Sequence, residues 1–250
     1  MEWHMMGGAM GYGCIFKINT NGTGYEDTHD FNRTNGASPA GSLILSGKKM
    51  YGMTSGVGVS YGNIFSIDTD GSEYKDLLDF NNTDGAVPWG CLILSGKTLY
   101  GMTAQGGTAN DGVVFKIDTN GTGYGVLLNF NAITGGLSTG SLTLSGKQLY
   151  GMTAFGGTKN DGTIFSIDTN GNGFKKLLDF DSINGQNPSG SLLLVGKKLY
   201  GMTYKGGTDG VGLIFSIDTS GNSYKDLLNF DAINGWVHLC YFYLHKHLTS

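Results

Sequence analysis

The sequence is poor in arginine, glutamate and proline. Arg33 is its single arginine, and glutamate occurs only at Glu2, Glu26 and Glu73. Nucleic acid is held by clustered Lys and Arg, so a chain of net charge −4 with 16 basic residues scattered along it is not expected to bind it. Three prolines beside 44 glycines exclude collagen and proline-rich linkers, and point to many tight turns between short strands. No apolar run nears the roughly 18 residues a membrane helix needs, so no membrane insertion is expected. The opening MEWHMMGG lacks a basic segment followed by an apolar one, so no export signal is read there. Cysteine is equally sparse. Cys14, Cys91 and Cys240 fall at unrelated points of the pattern described next, which is no disulfide framework and suits small buried thiols.

What the sequence has is repetition. Leu99–Phe115, Leu149–Phe165 and Leu199–Phe215 are nearly the same words, with a looser version at Met50–Phe65. Tyr-Gly-Met-Thr recurs from Tyr51, Tyr100, Tyr150 and Tyr200. A fixed period of about 50 residues is the signature of a repeat architecture. Copies run over about 42–80, 91–130, 141–180 and 191–230, after a partial copy at 7–31. Residues 236–250 leave the pattern. Because repeats share neighbours, the whole of 1–250 is expected to form one domain, and a monomer.

Each copy reads as four strands and no helix. A short apolar run such as Ser191–Val195 suits a strand buried on both faces. A Gly-Lys turn leads to the Tyr-Gly-Met-Thr strand, a Gly- and Asn-rich loop to the third strand, and Asn170-Gly171 makes a hairpin to the fourth. The fourth, Phe174–Phe180, carries charge fit for an outer edge. Four antiparallel strands per 50 residues is the blade of a β-propeller. The expectation is therefore an all-β propeller of about five four-stranded blades. It is either closed by a composite blade from both termini, with an innermost strand near 242–244 and a second strand from residues 1–6, or an open fragment of a larger propeller. Phe65, Phe115, Phe165 and Phe215, and likewise Phe80, Phe130, Phe180 and Phe230, are expected to fill repeated slots between blades.

The pattern GGTxNDGxxFxIDTNGxGYxxLLxF followed by NG and GSLxLSGKxLYG resembles the GloVer (Gloeo-Verruco) tandem repeat over Gly7 to Gly235. The resemblance implies a propeller-like repeat region of bacterial proteins, often secreted or held at the cell surface, with no catalytic residues to carry over. Extracellular or cell-surface placement is thus an expectation from resemblance alone.

The candidate chemistry is thin. Asp68, Asp118, Asp168 and Asp218 recur before the Thr-Asn-Gly-type turn, where a turn-bonding role is expected. A glycoside hydrolase would need acids about 5–10 Å apart on inner strands, yet those strands read SLILS, CLILS, SLTLS and SLLLV. Asp68–Gly71 lacks the spacing of a calcium loop. His238, Cys240, His245 and His247 form a metal-like cluster, read instead as incidental, so no metal and no cofactor are expected. Loops 2–3 and 4–1 are the long ones and share one end of each blade, where function concentrates. On them Gln105, Asn110, Asp111, Phe155, Asn160, Asp161, Tyr204 and Asp209 are the ligand-binding candidates, for an unknown protein or carbohydrate. A non-catalytic binding or structural module is the first reading, and a glycan-active propeller enzyme the alternative.

Overall fold

A computed structural model describes residues 2–4, 6–56, 58, 60–231 and 233–234. The described chain is all strand and turn, so no helix among these residues is long and apolar enough to cross a membrane. It divides into two compact units, 1–131 with 136–142, and 132–135 with 143–250.

The first unit holds three sheets. One contains β1 (Glu2–His4), β2 (Cys14–Lys17) and β3 (Glu26–Asp30). The next contains β4 (Pro39–Ser46), β5 (Lys49–Thr54), β6 (Asn63–Asp68) and β7 (Lys75–Asp79), and the third β8 (Ile93–Ser95), β9 (Thr98–Met102), β10 (Val113–Asp118) and β11 (Gly125–Asn129). The second unit holds β12 (Thr143–Ser145), β13 (Gln148–Thr153), β14 (Thr163–Asp168) and β15 (Lys175–Asp179), then β16 (Gln186–Val195), β17 (Lys198–Lys205), β18 (Leu213–Asp218) and β19 (Lys225–Asn229). Every sheet is an antiparallel meander in chain order. Residues 2–4 pair with β2 as a second strand should. The expected innermost strand near 242–244 lies outside the described residues.

Sequence dictates the hairpins. Gly47, Gly96, Gly146 and Gly196 all have φ near +60° in two-residue turns such as that closed by Ser46 and Lys49. That φ favours glycine, which has no Cβ to clash. The register between third and fourth strands shifts once per sheet at one point, as between Ile64 and Phe65 or Ile214 and Phe215. A bulge there re-aims the strand just where the buried phenylalanine sits.

The glycine of Tyr-Gly-Met-Thr has a different purpose. Gly52, Gly101 and Gly201 lie opposite Phe65, Phe115 and Phe215. A Cβ on any of them would stand 2.5–2.6 Å from the ring. The phenylalanine thus lies across a strand that has had its side chain removed.

Successive sheets within a unit meet through the same three rings. Phe80 meets Phe115 edge-on at 5.5 Å, and Tyr124 stacks on Phe115 at 5.8 Å. Phe180, Phe215 and Tyr224 repeat this at 5.4 and 5.8 Å, as do Phe31, Phe65 and Tyr74. Each buried ring is worth about 1.5–3 kcal/mol in transfer free energy. The tyrosine hydroxyls then reach back one repeat. Tyr74, Tyr124 and Tyr224 donate to the carbonyls of Asn35, Asp84 and Asn184, each at 2.5 Å. Phe174 has no hydroxyl to give, and there Thr163 Oγ1 donates to the Thr134 carbonyl at 3.2 Å.

The innermost strands correct one expectation. They are not buried on both faces: Leu92, Leu142 and Leu192 are buried, but Leu45 and Val195 are exposed. β16 also begins at Gln186, inside the stretch expected to be loop. In the first unit these strands approach backbone to backbone. A Cβ on Gly41 would meet the Gly90 carbonyl oxygen at 2.2 Å, and one on Gly90 would meet that of Gly140 at 2.2 Å. Cys91 links the same row: its Sγ accepts from the Ser42 amide at 3.0 Å while its own amide donates to Ser141 Oγ at 2.7 Å. Its thiol stands in for the serine hydroxyl of the other copies.

Candidate functional site

The long loops of one sheet rest on those of the next. Gly107 and Gly207 amides donate to the Asn82 and Ser182 carbonyls at 2.8 Å, and the Gly157 amide to Ala132 at 2.9 Å. Each loop 2–3 is therefore seated against the preceding loop 4–1, and the pair forms one exposed tip.

Four of the eight candidates are spent on building that tip. Asn110 and Asn160 sit at φ 60° and 61°, and their Oδ1 atoms accept from Gly106 at 3.1 Å and Gly156 at 2.9 Å. The matching residue of the last copy is Gly210, φ +73°, whose carbonyl takes the Gly206 amide instead. Asparagine is thus there for the left-handed turn, which it tolerates better than most residues. Asp161 is half-buried and its Oδ1 accepts from Gln186 Nε2 at 2.6 Å, while its carbonyl takes the Asn187 amide. Asp111, also half-buried, accepts the Leu137 amide through its carbonyl, with its side chain against Gly136.

Gln105, Phe155, Tyr204 and Asp209 remain exposed. The backbones of Gln105 and Phe155 are fixed by Thr103 and Thr153, whose hydroxyls donate to their carbonyls at 2.8 and 3.0 Å. Lys205 Nζ lies 5.9 Å over the Tyr204 ring. Sequence reasoning missed the other half of the tip. Ile133, Ile183 and Ile233 occupy one position of the 4–1 loops and are 73, 79 and 95 % exposed. In the first unit Thr34 and Thr83 hold that position and turn their hydroxyls onto Asn32 and Asn81. Counting through the copies with equal weight on apolar loop residues would have found them.

The recurring aspartates divide. Asp218 does bond its turn: Oδ1 accepts from the Ser220 hydroxyl and from the Ser220 and Asn222 amides, which hold its carboxyl below the usual carboxylate range. Asp68 and Asp118 instead accept across the strand, from Lys49 at 2.6 Å and Thr98 at 3.1 Å. Their turns are bonded two residues on, by Asp70 and Asn120.

Among the described residues, Cys14, Asp27 and Asp30 bring three donor atoms within 4.8 Å of one another. Asp27 already accepts from Tyr25 and Asp30 from the Ala9 amide. Burial pushes the Cys14 thiol up, and the Asp27 hydrogen bond adds to the shift. The group is a hydrogen-bonded knot with a protonated thiol. His238, Cys240, His245 and His247 lie outside the described residues.

Known folds match this architecture. A chain of a crystal structure of the nidogen/laminin complex is 19 % identical, with TM-score 0.59 over 87 % of this chain and 72 % of that one. A putative TolB from Agrobacterium tumefaciens gives 12 % and 0.57, over 87 % and 74 %. An oligogalacturonate lyase in complex with manganese gives 12 % and 0.57, over 86 % and 58 %. At such identities the likeness shows the fold alone, and that fold is the β-propeller. No curated protein matches. The sequence pattern of the Gloeobacter/Verrucomicrobia repeat matches residues 4–151 and 138–239. With the pattern covering nearly all of the repeating sheets, the chain belongs to the Gloeobacter/Verrucomicrobia repeat family.

Proposed function

We propose that this repeat scaffold is a non-catalytic binding module, secreted or at the cell surface, whose second unit presents its long-loop tips to a protein partner. The observation that carries the reading is the change of character at the paired tips. At the seated loops of the first unit Thr83 and Gln105 are exposed, whereas on those of the second Ile133 and Phe155, and Ile183 and Tyr204, are exposed. Exposed apolar side chains in neighbouring positions mark interaction sites. A carbohydrate ligand is less well served. Sugar hydroxyls want free amides and carboxylates, and Asn160 and Asp161 are already committed to their loops. A glycan-active enzyme is disfavoured by inner strands that carry no acid and that, in the first unit, touch backbone to backbone.

A phage-displayed peptide library, selected on the wild-type protein beside a printed oligosaccharide array, tests this. Peptides rich in apolar residues should be enriched, and should lose binding to the Ile133→Ser, Ile183→Ser, Phe155→Ala, Tyr204→Ala variant while keeping it for Thr83→Ala, Gln105→Ala. Sugar binding with no peptide enrichment, or turnover of any array sugar, would overturn the reading.

A further inference from the structure

His29 is a copy-specific polar residue at a junction between sheets. The register places it opposite Ile15, where Leu78, Leu128, Leu178 and Leu228 stand opposite Ile64, Val114, Ile164 and Ile214 in the other sheets. Its ring stacks on Tyr74 of the next sheet, centroids 4.2 Å apart and 4° from parallel, and meets Phe31 edge-on at 5.1 Å. Nε2 lies 3.1 Å from Asn35 Nδ2.

The asparagine decides the tautomer. Asn35 Oδ1 accepts from the Asn32 amide at 2.8 Å, and Nδ2 donates to the Asp30 carbonyl at 3.2 Å. Asn184 and Asn234 make the same two bonds in their own copies, to Asp181 and Asp179 and to Asp231 and Asn229. The amide orientation therefore belongs to the repeat and is fixed without the histidine. Nδ2 is a donor toward His29, so Nε2 must be an acceptor and the proton sits on Nδ1. An imidazolium would set two donors face to face. The Asn35 carbonyl is simultaneously the anchor of Tyr74, with Asn63 Nδ2 at 3.3 Å beside it. A movement at Asn35 is thus transmitted to the bond that ties the second sheet to the first.

We propose that this junction is a proton-sensitive joint: His29 closes it only as the neutral ring, and mild acid loosens the β1–β3 sheet from β4–β7. The surrounding charges are mixed. Asp30 neighbours His29 on β3, with Asp27 and Cys14 beyond it. Arg33 is held over the Tyr12 ring at 5.6 Å. Asp76 and Asp79 lie on the Tyr74 side, and burial raises the Asp76 carboxyl above its ordinary value. Burial holds the His29 imidazole below its ordinary 6.5 against the pull of Asp30. The sign follows. Between the folded value and 6.5 the separated state binds more protons, so the joint is at full strength above 6.5 and weakens as pH falls below it.

Two measurements on the full chain test the joint: the NMR titration of the His29 ring, and amide exchange of β3, corrected for intrinsic rates, between pH 7.5 and 5. The ring should titrate below 6.5, and β3 should lose protection in the same step, about tenfold for each unit of difference. His29→Leu, the residue of the other copies, should abolish that step. Asn35→Asp, the residue found at Asp84, should turn the facing group into an acceptor and reverse the sign, so that β3 gains protection in acid. A His29 ring titrating at or above 6.5, or an acid step of unchanged size in His29→Leu, would overturn the proposal.

Discussion

Lys75–Phe80 and Lys225–Phe230 differ by one letter, Asp79 against Asn229, yet they live in different environments. Leu77 is 8 % exposed and packs with Phe80 into a core shared with Leu92 and Phe115 of the following sheet. Leu227 is 45 % exposed, Leu228 is exposed too, and Phe230 is half-buried. The strands themselves are alike, with the same bulge and the same register. What differs is whether another described sheet lies against the face. Burial in this fold is a property of neighbours, conferred on a segment whose own sequence is indifferent to it.

That contrast is open to challenge by substitution. Phe165→Ala, in a fully buried slot, should cost about 3–5 kcal/mol; thermal unfolding unchanged from wild type would mean the slot is no core slot. Leu77→Ala should cost about 2–4 kcal/mol and Leu227→Ala less than about 1 kcal/mol, read from urea midpoints. Equal losses at the two sites would show that the last sheet is covered in solution as the second one is. Gly101→Ala should cost about 1–3 kcal/mol because the Phe115 ring must move, and calorimetry of this variant separates a close-approach glycine from a flexible one. Tyr124→Phe, losing one hydrogen bond to a carbonyl, should cost about 0.5–1.5 kcal/mol, whereas nothing comparable is available to lose at Phe174. Smallest of all, Asn160→Gly should fall within about 0.5 kcal/mol of wild type, since Gly210 already serves that turn.

The period, the hairpins and the phenylalanine slots were legible because each rests on local chemistry stated many times over. Turn glycines and alternating apolar residues mark strand ends wherever they occur. β16 was not fully legible: Gln186, Pro188 and Ser189 read as loop, yet pair with β17 ahead of an irregularity between Ser189 and Leu193. The purpose of Gly101 was hidden as well, because a cross-strand ring 14 residues later removes its side chain and no local preference records that. No local pattern in the sequence singles out His29. Its role depends on an amide fixed by Asn32 and Asp30 and on a ring from another sheet, three facts that meet only in the fold. At the tips, attention to polar residues found side chains that build the loop, and passed over the isoleucines that the loop displays.

The backward reach of the tyrosines has a consequence for how such a chain changes length. Tyr74, Tyr124 and Tyr224 each find the carbonyl they need in the repeat before their own, at the same place in its Asn/Asp-Gly corner. Each of these three copies thus brings both halves of the fastening, a hydroxyl for its predecessor and a corner carbonyl for its successor, while the copy of Phe174 brings only the Asn184 carbonyl. Unequal crossing-over anywhere within matched copies would delete or duplicate a unit and leave each remaining fastening with a mate. The inheritance of such a protein is a choice of number as much as of letters, and novelty can accumulate at the loop tips without renegotiating the joints.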